Sequence, residues 1–89
     1  MSYRLNKEEA AYRRVGDEFF VLTTRDSTLH NVRGAGVRII ELLEAGKGRD
    51  EILTTLLAEF EVDAPTLAAD LDTFLAALVE KGILVQETG

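Results

Sequence analysis

The spacing of apolar residues changes once along this chain, and that change limits its architecture more than any other feature. Up to Val32 the apolar residues fall in short runs broken by turn residues, the pattern of strands; beyond it they recur every three or four positions, the pattern of helices. Arg13-Arg14-Val15, Gly16-Asp17 and Glu18 to Thr23 read as two strands joined by a tight turn. The second run holds Phe19, Phe20, Val21 and Leu22, aromatic and β-branched residues that suit a pleated, half-buried surface. Arg25-Asp26 marks another reversal. Ser27 to Val32 then makes a third and more polar strand, as strands at the edge of a sheet tend to be.

After the change of period, Val32, Ala35, Ile39, Leu42 and Leu43 share one helical face, with Arg38, Glu41 and Glu44 opposite. Gly46 is placed to close this helix. A second helix is predicted from about Asp50 to Phe60, with Ile52, Leu53, Leu56, Leu57 and Phe60 as its stripe. Asp63 and Pro65 are helix-start residues, one as a cap and the other tolerated in the first turn. The third helix carries Leu67, Leu71, Phe74, Leu75 and Leu78, runs to Lys81 and stops at Gly82; Ile83-Leu84-Val85 adds a short strand or a packing tail. No helix can bury its stripe alone, so the three must pack on each other and on one face of the sheet. The expectation is one α+β domain over residues 12–89, a three-stranded antiparallel sheet followed by a three-helix bundle, with residues 1–11 as a flexible lead-in.

Catalytic constellations are scarce. The 89 residues include no cysteine, which removes disulfides, thiolate metal sites and thiol nucleophiles. His30 is the only histidine and has no neighbouring nucleophile in sequence. Gly34-Ala35-Gly36 lacks the third glycine of a dinucleotide fingerprint, and Gly46-Lys47-Gly48 lacks the remainder of a phosphate loop. The acidic residues of the second half have no calcium-loop spacing and read as a solvated face. No enzyme activity, cofactor or metal is expected. No stretch has the length of a membrane span or the form of a signal peptide, so the expected setting is the cytoplasm.

Three helices with a small sheet also describe a winged helix, often a DNA binder, and a winged-helix regulatory module is the alternative reading. Charge argues against it. The net charge is −6, and residues 50–89 hold nine acidic side chains against one base, Lys81. A third helix bearing Asp70, Asp72 and Glu80 would repel phosphate, so no nucleic-acid partner is expected. A polar strand edge can instead accept an extended peptide through main-chain hydrogen bonds, and the same open edge would allow a homodimer by edge pairing.

The run Val32-Arg33-Gly34-Ala35-Gly36-Val37-Arg38-Ile39-Ile40-Glu41-Leu42-Leu43 with Ala45-Gly46, then Glu51-Ile52, the stripe to Phe60, Val62-Asp63 and the ending Leu78-Val79-Glu80-Lys81-Gly82-Ile83-Leu84, resembles the PqqD family over about residues 12 to 86. Arg33 stands where many members carry Asn, and Ile40 where an aromatic residue is common. The resemblance implies a winged helix-turn-helix-like domain. It also implies binding of the leader of a ribosomally made precursor peptide, which is presented to a modifying enzyme. In the synthesis of pyrroloquinoline quinone that enzyme is a radical S-adenosylmethionine protein. The leader would lie along the third strand beside the third helix, which points to Ser27, Thr28, Leu29, His30 and Asn31 with Asp70, Leu71, Phe74 and Leu78. The acidic third helix would then suit a leader carrying basic groups.

Overall fold

The computed structural model describes residues 2–87. Five strands and three helices follow in the order β1 (Ser2–Leu5), β2 (Ala10–Val15), β3 (Glu18–Thr23), β4 (Thr28–Val32), α1 (Ala35–Glu44), α2 (Arg49–Glu59), α3 (Ala64–Glu80) and β5 (Leu84–Glu87). The strands form two antiparallel sheets, β2-β3-β4 and the pair β1-β5.

The three-stranded sheet is the one expected from the sequence. Gly16-Asp17 turns β2 into β3, pairing Val15 with Glu18. β3 pairs with β4 from Thr23–Thr28 to Phe19–Val32. Alternation then sorts the faces: Phe19, Val21 and Thr23 are buried, while Leu22 between them is exposed.

The first residues differ from expectation. They form β1 instead of a loose lead-in, with Tyr3 opposite Gln86 and Leu5 opposite Leu84. Leu5 and Ala10 are buried in the main core, and the Asn6 backbone N–H donates to the Ile83 carbonyl at 2.9 Å. The physical reason is burial from the far end of the chain: Ile83 and Leu84 supply an apolar partner strand that a local reading of residues 1–11 does not see. The ending past Gly82 accordingly takes the strand form.

Both predicted glycine stops hold. Gly46 at φ +84° and Gly82 at φ +81° follow α1 and α3, and each closes a Schellman motif. Lys47 N–H donates to the Leu42 carbonyl at 3.0 Å, and Ile83 N–H to the Leu78 carbonyl at 2.9 Å. Asp63 caps α3 by accepting from the Thr66 N–H at 3.3 Å and the Thr66 hydroxyl at 3.1 Å.

Helix α1 buries two faces instead of one stripe. Ile39, Leu42 and Leu43 join Ile52, Leu56, Leu71, Leu75 and Leu78 in the main core, whereas Val37 and Ile40 pack with Phe19 and Val32 against the sheet. Val32 is the last residue of β4, not a helical one, and Ala35 is exposed. Phe60, expected within the α2 stripe, lies at the helix end and is 40% exposed. Two forked ion pairs tie the helices together at the surface. Arg38 of α1 holds Glu59 of α2, and Arg49 of α2 holds Asp72 of α3 at 2.9 Å through both oxygens. Such exposed pairs fix geometry more than they add stability.

Candidate functional site

The order β2-β3-β4 leaves β4 at an edge of the sheet, with one side of its backbone unpaired. That edge does not face open solvent. Helix α3 runs beside it, and a cleft of about 620 Å³ opens between the two. Leu29, His30, Asn31 and Val32 form one wall; Phe74, Leu78 and Lys81 form the other, with Ile83 at one end and Gly36 at the opposite one.

Gly36 sets how deep the cleft can be. A methyl group at its Cα would stand 2.7 Å from Val32 Cγ1 and 3.2 Å from Phe74 Cζ. The start of α1 therefore approaches both walls more closely than any side chain would permit. Leu78 is 3% exposed and forms the floor, whereas Phe74 is half-buried and offers part of its ring to the opening. Leu29 is 64% exposed and stands opposite Leu22 of β3, itself 42% exposed.

The turn entering β4 is fixed by polar contacts. The buried Thr23 hydroxyl donates to Asp26 Oδ1 at 2.5 Å, and the Thr28 N–H donates to the same oxygen at 3.2 Å. The bond from Thr23, with help from Thr28, holds the Asp26 carboxyl below its ordinary pKa. Ser27 closes the turn in the left-handed region at φ +52°. His30 Nε2 lies 3.4 Å from the Thr23 hydroxyl, at the inner side of β4.

Of the residues singled out from the sequence, Leu29, His30, Asn31, Phe74 and Leu78 come together around this cleft. Ser27 belongs to the turn before β4 and Thr28 opens the strand, both outside the lining. Leu71 is 1% exposed and fills the main core. Asp70 is exposed and does not line the cleft, and Asp72 is occupied by Arg49. The acidic character expected of the α3 wall is thus absent from the cleft. Arg33, Gly36, Lys81 and Ile83 line it without having been singled out for the site. Lys81 had a sequence signal, as the lone base in an acidic half; Gly36 had none beyond being a glycine at a helix start.

A second cleft, of about 610 Å³, lies between β2 and α1. Arg14 of β2 bonds Glu41 of α1 across it and lies 5.7 Å from the Phe19 ring centre. The β2 side of the sheet is bridged in this way, and the β4 edge is not. Among the described residues no group of three or more His, Asp or Glu could hold a metal ion, and no helix is long and apolar enough to cross a membrane.

The small sheet, the three helices and a strand edge opening into a groove beside α3 define a winged-helix-like α+β domain. The chain belongs to the PqqD family: the model for coenzyme PQQ synthesis protein D matches residues 18–84. Among solved structures it is similar to TbiB1 in complex with the TbiA(beta) leader peptide, with 32% identity, a TM-score of 0.88, and coverage of 97% of this chain and 99% of that one. It also shares the fold of a lasso peptide synthetase B1 complexed with the leader peptide, at 19% identity and a TM-score of 0.86, over 97% of this chain and 100% of that one. No curated protein matches the sequence.

Proposed function

We propose that this domain binds the leader segment of a ribosomally made precursor peptide as an added strand on β4, with leader side chains reaching the groove in front of α3. The observation that carries the reading is the unpaired β4 edge, which faces a cleft floored by Leu78 and walled by Phe74. Main-chain bonds to the edge would supply affinity for any extended peptide, and side-chain pockets along α3 would supply selectivity. The likeness to TbiB1, recorded with a leader peptide, supports the same reading at 32% identity over nearly the whole of both chains. Leu29, His30, Asn31, Phe74 and Leu78 are the proposed contacts, with Ser27 and Thr28 at one end of the strand; Asp70 and Leu71 would act only indirectly, through α3.

The domain would act without turnover of its own, in the cytoplasm, as an adaptor. Its benefit to a modifying enzyme would be tethering, which raises the local concentration of the peptide at the enzyme's site. The family resemblance implies a radical S-adenosylmethionine protein as that enzyme. Titrating isotope-labelled protein with precursor peptides encoded near its gene tests the binding step. Amide shifts confined to β4 and α3 are the expected result. An unchanged spectrum with every such peptide would overturn the reading.

A further inference from the structure

The single base in the last forty residues is not placed at random. Lys81 follows α3 as its C-cap residue, exposed, at the mouth of the β4–α3 groove. A second base reaches the same corner from the sheet. Arg25, in the β3–β4 turn, donates through Nη2 to the Glu80 carbonyl at 3.1 Å. Its guanidinium also lies 3.2 Å from where a Cβ on Gly82 would stand. Among the described residues Lys81 and Arg25 form no ion pair, as Lys7 and Arg13 form none, whereas Arg4, Arg14, Arg33, Arg38, Lys47 and Arg49 all do; of the four unpaired bases these two share the corner beside Gly82.

The acid beside this corner is Glu9, whose carboxylate accepts from the Asn6 side-chain amide at 3.1 Å while the same amide donates to the Gly82 carbonyl at 3.2 Å. Among the described residues it forms no ion pair with Arg25 or Lys81, and it does not line the groove. No Asp or Glu lines the groove. Asp26 turns back onto Thr23 and Thr28, and Glu18 lies 2.5 Å from Arg33, the base near the opposite end. Glu80 points about 100° around the helix from Lys81. In a chain of net charge −6 the groove is therefore a locally basic strip whose uncompensated charge sits at one end. The distant acids act on it weakly, because screening at physiological salt sets in over about 8 Å.

We propose that Lys81 and Arg25 seat a carboxylate of the bound leader, an Asp or Glu side chain, while Phe74 takes an apolar residue further along. This rests on the leader-binding reading and specifies its substrate class. Lys81 stands seven positions after Phe74 along α3, a rise of about 10 Å. A strand advances about 3.3 Å per residue and returns to the same face only at even separations. The acidic and apolar residues of the leader therefore stand two or four positions apart. An edge accepts strands in either direction; a charge at one end of the groove selects one of them.

Two bases at a helix end also suit the carbonyls exposed there. A purely capping role would alter stability and leave peptide choice untouched, which gives the test. The probe is an array of random-sequence peptides of roughly 15 residues, long enough to overrun β4. Groove binding of the best peptides is read from amide shifts. The expected result is enrichment of Asp and Glu over Lys and Arg among groove binders. That enrichment should vanish for Lys81→Gln with Arg25→Gln. Lys81→Gln alone should weaken the best acidic binder about threefold to fivefold, the scale of an ion pair at a solvent edge. Should binders occupy the groove without any excess of carboxylates, or bind the double variant equally well, the carboxylate seat is overturned and leader binding stands. Should neither the array nor any precursor peptide encoded near the gene shift the groove, leader binding falls and the seat with it.

Discussion

Gly36 and Phe74 meet at the end of β4, where a methyl group on the glycine would stand 3.2 Å from the ring edge. The contact lets α1 start directly beneath the groove, so the same approach that packs the smaller core cluster also holds the Phe74 ring in place. Gly36→Ala gains helix propensity but drives a carbon against Val32, a stiff β-branched residue that is itself buried. The net loss should be roughly 1 kcal/mol, near the low end for overpacking. Urea unfolding checks this, and displacement of Phe74 should appear as ring chemical-shift changes in the folded variant.

Leu29 separates binding from folding. At 64% exposed it adds little to the core, yet it lines the groove. Leu29→Asp should change stability by less than about 0.5 kcal/mol. Peptide affinity should fall at least tenfold, on the order of a lost anchor contact. Calorimetric titration beside a thermal melt gives both numbers; a large loss of stability would count against this division of roles.

The Tyr12 phenol gives the fold an alkaline signature. Its hydroxyl donates to the Ile83 carbonyl at 2.5 Å, and burial pushes its pKa from 10.0 up to about 12. In the unfolded chain the phenol ionises near its ordinary value, whereas the folded chain keeps the proton. The contribution of this group is therefore fully present below pH 10 and is lost as pH rises towards about 12. Tyr12→Phe should lower stability at neutral pH by removing the bond to Ile83. It should also flatten the decline between those two limits, measured as the difference between the denaturant midpoints of the two proteins.

Asp63 tests whether the cap and the groove are independent. Asp63→Ala leaves the Thr66 N–H without its side-chain acceptor and should cost about 1 kcal/mol. Phe74 and Lys81 lie two and more turns further along α3. Peptide affinity should therefore stay within a factor of about two once the loss of folded protein is taken into account. Amide exchange should quicken in the first turn of α3 only.

The three-stranded sheet and the helices were readable because their signals are local. Gly16-Asp17 between apolar runs, Gly46 and Gly82 after stripes, and Asp63 before Pro65 each act within a few residues. β1 was not readable, because Tyr3 and Leu5 find their partners at Gln86 and Leu84, at the other end of the sequence. Half of the groove had a signal as well: a polar edge strand and the α3 stripe brought in Leu29, His30, Asn31, Phe74 and Leu78. The stripe could not say which members face β4 and which face the core. Leu71 and Phe74 are three residues apart, and only packing against α1 and α2 decides that one is sealed and the other half open. The acidic appearance of α3 misled for a related reason, since Arg49, distant in sequence, occupies Asp72.

The pairing of Ser2 with Glu87 brings residues from opposite ends of the described chain to adjacent strands, roughly 5 Å apart. A polypeptide entering through β1 leaves through β5 at the same corner, as a plug-in module does. Joining those two strands with a short loop and opening the chain at the exposed Gly16-Asp17 turn would give a circular permutant with the same sheets. For the same reason the domain could be spliced into a loop of another protein, hanging from a single point of attachment.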